Sequence, residues 1–191
     1  MANYIDNPLY LSACESYTES KRLIGEISKV ITGIDPTITY EEIRIQYDLI
    51  LQTVLLNAAI EDGKFEDIEL EFVTLLIKYG DILALANEAC KKLLPEWKDI
   101  RWSNISTLDS VNAKKLAEIV TKIVSAYTDA FVNVLYVIDR ANNKVNYLFE
   151  LTSYTRRILT NLSMIDGDKR DSETLTGMKI FNELVTNKCK K

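Results

Sequence analysis

The sequence predicts an all-α protein, with about seven helices in a single bundle built from two related helix–Asp-Gly turn–helix hairpins. Three observations support this fold class. The 191 residues include only 6 Gly and 3 Pro, too few chain-reversing residues for a fold of many short strands. Apolar residues recur at helical spacing along most of the chain, without a convincing alternating strand pattern. A helix–turn–helix pattern with Asp-Gly at the turn occurs twice, and the chain is long enough for one sizeable core.

The N-terminal segment, residues 1–38, is predicted to be an arm followed by an extra helix that packs on the body. Residues 1–15 show no clear period but are apolar enough to dock. The helical period begins later, so the first helix is expected from Thr18 to about Ile31. The remainder, residues 39–191, is predicted to form the helical domain itself.

The second helix has the clearest start signal in the chain. Thr39 followed by Glu42 matches a capping box. The apolar residues that follow lie on one face of a helix of about six turns, and they are Ile43, Tyr47, Ile50, Leu51, Val54 and Ala58. The helix should end at Asp62-Gly63, because Gly readily adopts the left-handed conformation found at helix C-termini. The next helix should begin near Glu66.

The rest of the chain continues the helical pattern. Asp81 can cap a helix that stops before Pro95. From Asp109 the period predicts either one long helix to Arg140 or two helices with a break near Tyr127. A further apolar stripe then leads into Asp166-Gly167, after which the last helix is expected near Asp171. The short links favour antiparallel neighbours.

One pattern, N-x4-D-G-x3-D-x-E, occurs in both Asn57–Glu69 and Asn161–Glu173. Each copy places three carboxylates around a tight turn, and these six candidate metal ligands are Asp62, Asp67, Glu69, Asp166, Asp171 and Glu173. One interpretation is purely structural, because carboxylates at helix N-termini cap free N–H groups and interact favourably with the helix dipole. The other is a site for a hard cation, Ca²⁺ or Mg²⁺, which prefers oxygen ligands. An EF-hand is excluded because its first ligand positions hold Ala58 and Ile60.

These residues carry a resemblance to a known family. Ala59–Phe65 with Glu69, and Ile165–Gly167 with Glu173, resemble the paired "DG-x5-E" signatures of the tellurite-resistance TerB-like family. The resemblance covers roughly residues 40–188. It implies an all-helical fold of two related hairpins with an acidic metal-binding surface. It also implies a role without enzymatic activity in bacterial stress or defence assemblies.

The resemblance also implies which residues bind the metal. It implies metal ligands at Asp62 and Glu69 and at Asp166 and Glu173, while the internal repeat adds the two remaining aspartates. The second copy departs from the pattern, because Lys169 stands where the first copy has Phe65 and Arg170 adds a positive charge.

Composition narrows the function classes. The chain has no His, which excludes Ser-His and Cys-His catalysis and the commonest zinc ligand. Three scattered Cys without a Cys-x-x-Cys pair indicate reduced thiols. The net charge of −5 disfavours nucleic-acid binding. No signal peptide and no membrane span are recognised, so we expect a cytoplasmic location. The resemblance to TerB-like proteins implies a protein partner.

Two other functions remain open. The chain could be a purely structural or protein-interaction domain, with the acidic turns as helix caps. It could also be an all-α Mg²⁺-dependent nucleotide pyrophosphohydrolase that uses Glu66, Glu69 and Asp81. Such an enzyme usually needs Lys or Arg near the phosphates, and only ordinary surface lysines are near these positions. We therefore do not expect an enzyme.

Overall fold

A computed structural model describes residues 6–77, 81–93, 101–141, 145–165, 167 and 171–189 of this protein, without the side chains of Ile34 and residues 88–93. These ranges contain eight α-helices and no β-strand, which confirms the all-α prediction. The helices are α1 Pro8–Ile34, α2 Tyr40–Ala59, α3 Asp67–Leu76, α4 Ile82–Leu93, α5 Ser110–Tyr127, α6 Asp129–Ala141, α7 Tyr147–Leu162 and α8 Asp171–Phe181. None of the helices in these ranges has the length and apolarity needed to cross a membrane.

The first helix begins earlier than predicted. It starts at Pro8, not Thr18, so the chain is already helical where an arm was expected. The Asn7 side chain accepts a hydrogen bond from the Leu9 N–H at 2.8 Å, and proline is favourable at the first helical position. The helical period was missed because the buried side of this stretch includes small polar residues such as Ser16. The helix packs mainly against α7 and is part of the core.

Helix α2 is the centre of the bundle and contacts each of the other seven helices. Its predicted capping box is confirmed, since the Glu42 N–H donates to Thr39 Oγ1 at 3.2 Å and the Thr39 N–H donates to Glu42 Oε2 at 2.8 Å. Two of its glutamines hold the starts of other helices. Gln52 Oε1 accepts from the Ile82 N–H, and Gln46 Oε1 accepts from the Phe131 N–H, each at 3.1 Å.

The long helical pattern after Asp109 forms two helices, so the second alternative was right and adds the eighth helix. Asp109 Oδ1 caps α5 by accepting from the N–H groups of Val111 and Asn112. The break is at Thr128, which is fully buried. Near the C-terminus of the chain, the Lys188 ammonium donates to the Ser125 carbonyl at 2.5 Å, and this bond supports the end of α5.

Helices α7 and α8 can pack closely because Gly177 in α8 has no side chain. A Cβ on Gly177 would be 2.4 Å from Leu159 Cδ2, much closer than two carbon atoms can approach. Helix α8 also packs on α2 and continues into a π-helical segment, Asn182–Thr186. This packing brings the beginning of α8 to the body of the first hairpin.

Candidate functional site: the paired Asp-Gly turns

The two Asp-Gly turns have the same backbone conformation. Gly63 has φ +92° and Gly167 has φ +93°, and they are the only positive-φ residues in the described ranges. The Gly63 N–H donates to the Ile60 carbonyl at 2.8 Å, and the Gly167 N–H donates to the Met164 carbonyl at 3.2 Å. The left-handed conformation predicted at Gly63 is therefore confirmed, and Gly167 shares it. Asp166 itself lies outside the described residues.

Asp62 is exposed and stabilises its own turn. Its Oδ1 accepts a hydrogen bond from the Lys64 N–H at 3.0 Å, a local bond that favours chain reversal. The Asp62 carboxylate also contributes negative charge to the buried Glu69 nearby.

Glu69 is the third residue of α3 and is only 3% exposed. Its Oε2 accepts the Glu66 N–H at 3.2 Å, so one function of this carboxyl is to cap the helix. The pKa of Glu69 is raised to about 8, mainly by burial and also by the negative charges of Glu173, Glu66 and Asp62, while the bond from the Glu66 N–H lowers it. A carboxyl group with this pKa retains its proton at neutral pH.

Glu173 occupies the equivalent position in α8 and is also 3% exposed. Its effect on the pKa of Glu69 places the two glutamates in one region of the interior. A second link joins the turns nearby, since the Ser172 hydroxyl donates to Glu61 Oε2 at 3.1 Å. The fold therefore brings together one acidic residue from each copy of the repeat. The repeat itself did not predict the link between Ser172 and Glu61.

The aspartates in the first turns of α3 and α8 are at the surface, unlike the buried glutamates. Asp67 and Asp171 are the first residues of α3 and α8, and both are exposed. Two helical positions separate Asp67 from Glu69, which places their side chains on nearly opposite sides of α3. Asp67 lines a surface cleft of about 280 Å³ together with the half-buried Trp102. The structure thus does not bring the first-turn aspartates to the buried pair.

The chemistry of the site follows from two neighbouring buried carboxyl groups. Ionisation of one of these carboxyl groups opposes ionisation of the other, and a cation near both would offset this effect. Glutamate oxygens are suitable ligands for Ca²⁺ or Mg²⁺. Across the described ranges, no group of three or more Asp, Glu or Cys residues is arranged to hold a metal ion. A complete coordination shell would therefore need further ligands, such as water or Asp166.

Several other residues with reactive or acidic side chains lie outside the two turns. Asp81 Oδ1 caps α4 by accepting from the N–H groups of Leu83 and Ala84, at 3.0 and 3.2 Å. Cys14 and Cys189 are free thiols, and the Cys90 side chain lies outside the described residues. The sequence analysis also missed a buried acid, Asp48, which is 0% exposed within the apolar surroundings of α2.

Comparisons of this chain with protein-family models, curated proteins and solved structures gave no match. The resemblance to TerB-like proteins therefore remains a prediction based on the two motifs.

Proposed function

We propose that this protein is a non-enzymatic, TerB-like helical module that binds a divalent cation, Ca²⁺ or Mg²⁺, between its two Asp-Gly turns. It acts as an adaptor for a protein partner in a bacterial stress or defence system. The observation that carries the metal-binding proposal is the buried pair of Glu69 and Glu173, contributed by equivalent positions of the repeat.

The charged form of a buried carboxyl group is poorly solvated. Ionisation of Glu69 near the negative charge of Glu173 therefore costs free energy. A cation between the two glutamates removes this cost and joins the two hairpins. Binding to the folded state alone then stabilises the fold, by about 2.7 kcal/mol at a cation concentration one hundred times the Kd.

A second function has a specific observation in its favour. Glu69 already accepts the Glu66 N–H, and Asp62 already accepts the Lys64 N–H. These bonds are typical of acidic residues that only cap helices and turns. Under this alternative the protein is an interaction domain, and its acidic turns bind no metal.

Thermal unfolding in the presence of Ca²⁺ or Mg²⁺ separates the two functions. The metal-binding proposal predicts a concentration-dependent rise in Tm that is lost when Glu69→Gln and Glu173→Gln are combined. The matched control is Asp67→Asn with Asp171→Asn, which makes the same carboxyl-to-amide change at exposed positions of the same two helices and should retain most of the rise. If neither ion raises the Tm of the wild-type chain, the capping function is the one that stands.

A further inference from the structure

A second buried acid lies away from the turns, where α1 packs on α2. Asp48 is 0% exposed, and its Oδ1 accepts a hydrogen bond from the Tyr17 hydroxyl at 2.8 Å. Its other oxygen, Oδ2, has no hydrogen-bond partner among the described residues. A buried polar atom without a partner is costly and is rare in folded proteins. The site therefore has one unused acceptor in the interior.

A positively charged side chain, that of Arg44, lies one helical turn before Asp48. Arg44 is four residues before Asp48 on α2, a spacing at which side chains meet on one helix face. In the structure the Arg44 guanidinium pairs with Glu41 and lies 5.9 Å from the Tyr40 ring. The Arg44 side chain is 15% exposed whereas that of Glu41 is 55% exposed. The positive charge of Arg44 also acts on the buried Asp48, whose pKa it lowers.

We propose that Asp48 and Arg44 form a proton-controlled switch. While Asp48 holds a proton, Arg44 stays paired with Glu41. When the proton is lost to solvent, the buried carboxylate attracts the guanidinium to Oδ2, and the ion pair with Glu41 breaks. No other chemical change is required, since a single proton and one side-chain rotation account for both states.

The neighbouring charges place this change near neutral pH. Burial is the main cause that raises the pKa of Asp48 to about 7, and the charge of Glu41 adds slightly to it. The Tyr17 hydroxyl, Arg44 and Lys21 act in the opposite direction. The pKa values of Tyr17 and Tyr47 lie far above neutrality because both side chains are buried. Helix α7 contributes the uncharged Thr155 hydroxyl, which acts on Tyr47. Asp48 is thus the group of this cluster that titrates near pH 7.

The switch connects the interior with two surface features. Tyr17 lines a cleft of about 250 Å³ between α1 and the end of α3, and the Lys21 ammonium lies 4.3 Å from the centre of its ring. Arg44 and Tyr40 lie on the first turns of α2. Release of Arg44 from Glu41 leaves the Glu41 carboxylate free at the surface, so the surface presented to a partner changes with pH.

Nuclear magnetic resonance of the full chain between pH 5 and 9 tests this switch. The side-chain carboxyl signal of Asp48 and the Nε–H signal of Arg44 should move together, with a common midpoint near 7. In Asp48→Asn the Arg44 signal should no longer respond to pH in this range. In Glu41→Gln the midpoint should fall, because a competing negative charge is removed.

Tyr17→Phe is the matched control. It removes the hydroxyl that donates to the carboxylate, so the midpoint should rise by roughly one pH unit while Arg44 still follows Asp48. An Arg44 signal that stays constant while Asp48 titrates would overturn the switch. A carboxyl group that is already ionised at pH 5 would overturn it as well. The Glu41 variant changes only an exposed residue, so the test does not depend on whether Asp48→Asn folds.

Discussion

Glu69 and Glu173 occupy the third position of α3 and of α8, each is 3% exposed, and the charge of Glu173 raises the pKa of Glu69. These residues are far apart in the chain and come into one region because α8 packs on α2, the helix that precedes the first turn. Burial of two acids in one place opposes folding in the absence of a cation.

Replacement of Glu69 by Gln should stabilise the metal-free protein at neutral and alkaline pH. The pKa of Glu69 is about 8 in the folded state, above its ordinary value of 4.5. Below about pH 4.5 Glu69 is protonated in both the folded and the unfolded state, so its burial does not reduce the stability of the fold. As the pH rises to about 8, the unfolded state loses this proton more readily than the folded state, and the protein becomes less stable. Gln has no proton to lose, so the gain should grow across this window to ~2–4 kcal/mol. Denaturant unfolding with a chelator, from pH 4 to 9, measures it.

Asp67→Asn is the control for this pH profile, because it removes an exposed carboxylate from the same helix. Its stability should follow that of the wild type within about 0.5 kcal/mol. If the free energy of unfolding of Glu69→Gln changed with pH in the same way as that of the wild type, burial of Glu69 would not be the cause of the pH dependence.

Gly63→Ala should destabilise the protein by ~1–3 kcal/mol. Gly63 has φ +92°, which strains any residue with a Cβ, and a new Cβ would be only 3.0 Å from Ser110 Cβ. Gly33→Ala is the matched control, since no atom lies within 4 Å of its new Cβ and the residue is in the last turns of α1. That change should be neutral or stabilising by ~0.5 kcal/mol. Equal effects of the two substitutions would argue against the left-handed turn.

Gly177→Ala should separate α7 from α8, because its Cβ would overlap Leu159 Cδ2 at 2.4 Å. The expected loss is ~1–3 kcal/mol, typical of overpacking. In a Leu159→Ala background the same substitution should cost at least ~1 kcal/mol less, and a double-mutant cycle measures this coupling. Simple additivity of the two changes would indicate that α8 shifts away from α7 without strain.

Deletion of residues 1–38 should expose the apolar surface that α1 covers. Ile24 and Ile27 are fully buried, and α1 packs mainly against α7. We expect the remaining chain to aggregate or to lose cooperative unfolding, as followed by size-exclusion chromatography and circular dichroism. Leu11→Ala, which shortens an exposed side chain of α1, is the control and should leave Tm nearly unchanged. A monomeric fragment 39–191 with the wild-type Tm would show that α1 is only an appendage.

Signals in the sequence predicted the local structure well where a few neighbouring residues decide it. The capping box of Thr39 with Glu42, the cap at Asp81 and the left-handed glycine at Gly63 were all found where expected. The start of α1 at Pro8 was missed, although Asn7-Pro8 is a recognisable helix start, because polar residues such as Ser16 and Ser20 interrupt the apolar stripe. Their hydroxyls donate to carbonyls one turn earlier and so can be buried.

The sequence by itself thus determined that the chain is helical and that two turns of like conformation carry acidic residues, because caps and turns depend on interactions within four residues. Only the tertiary structure decided which acids enter the interior. It selected Glu69 and Glu173 and left Asp67 and Asp171 at the surface. It also placed Asp48 against Tyr17. The physical reason is that burial and pKa depend on which helices pack together, and that information lies in contacts between distant parts of the chain.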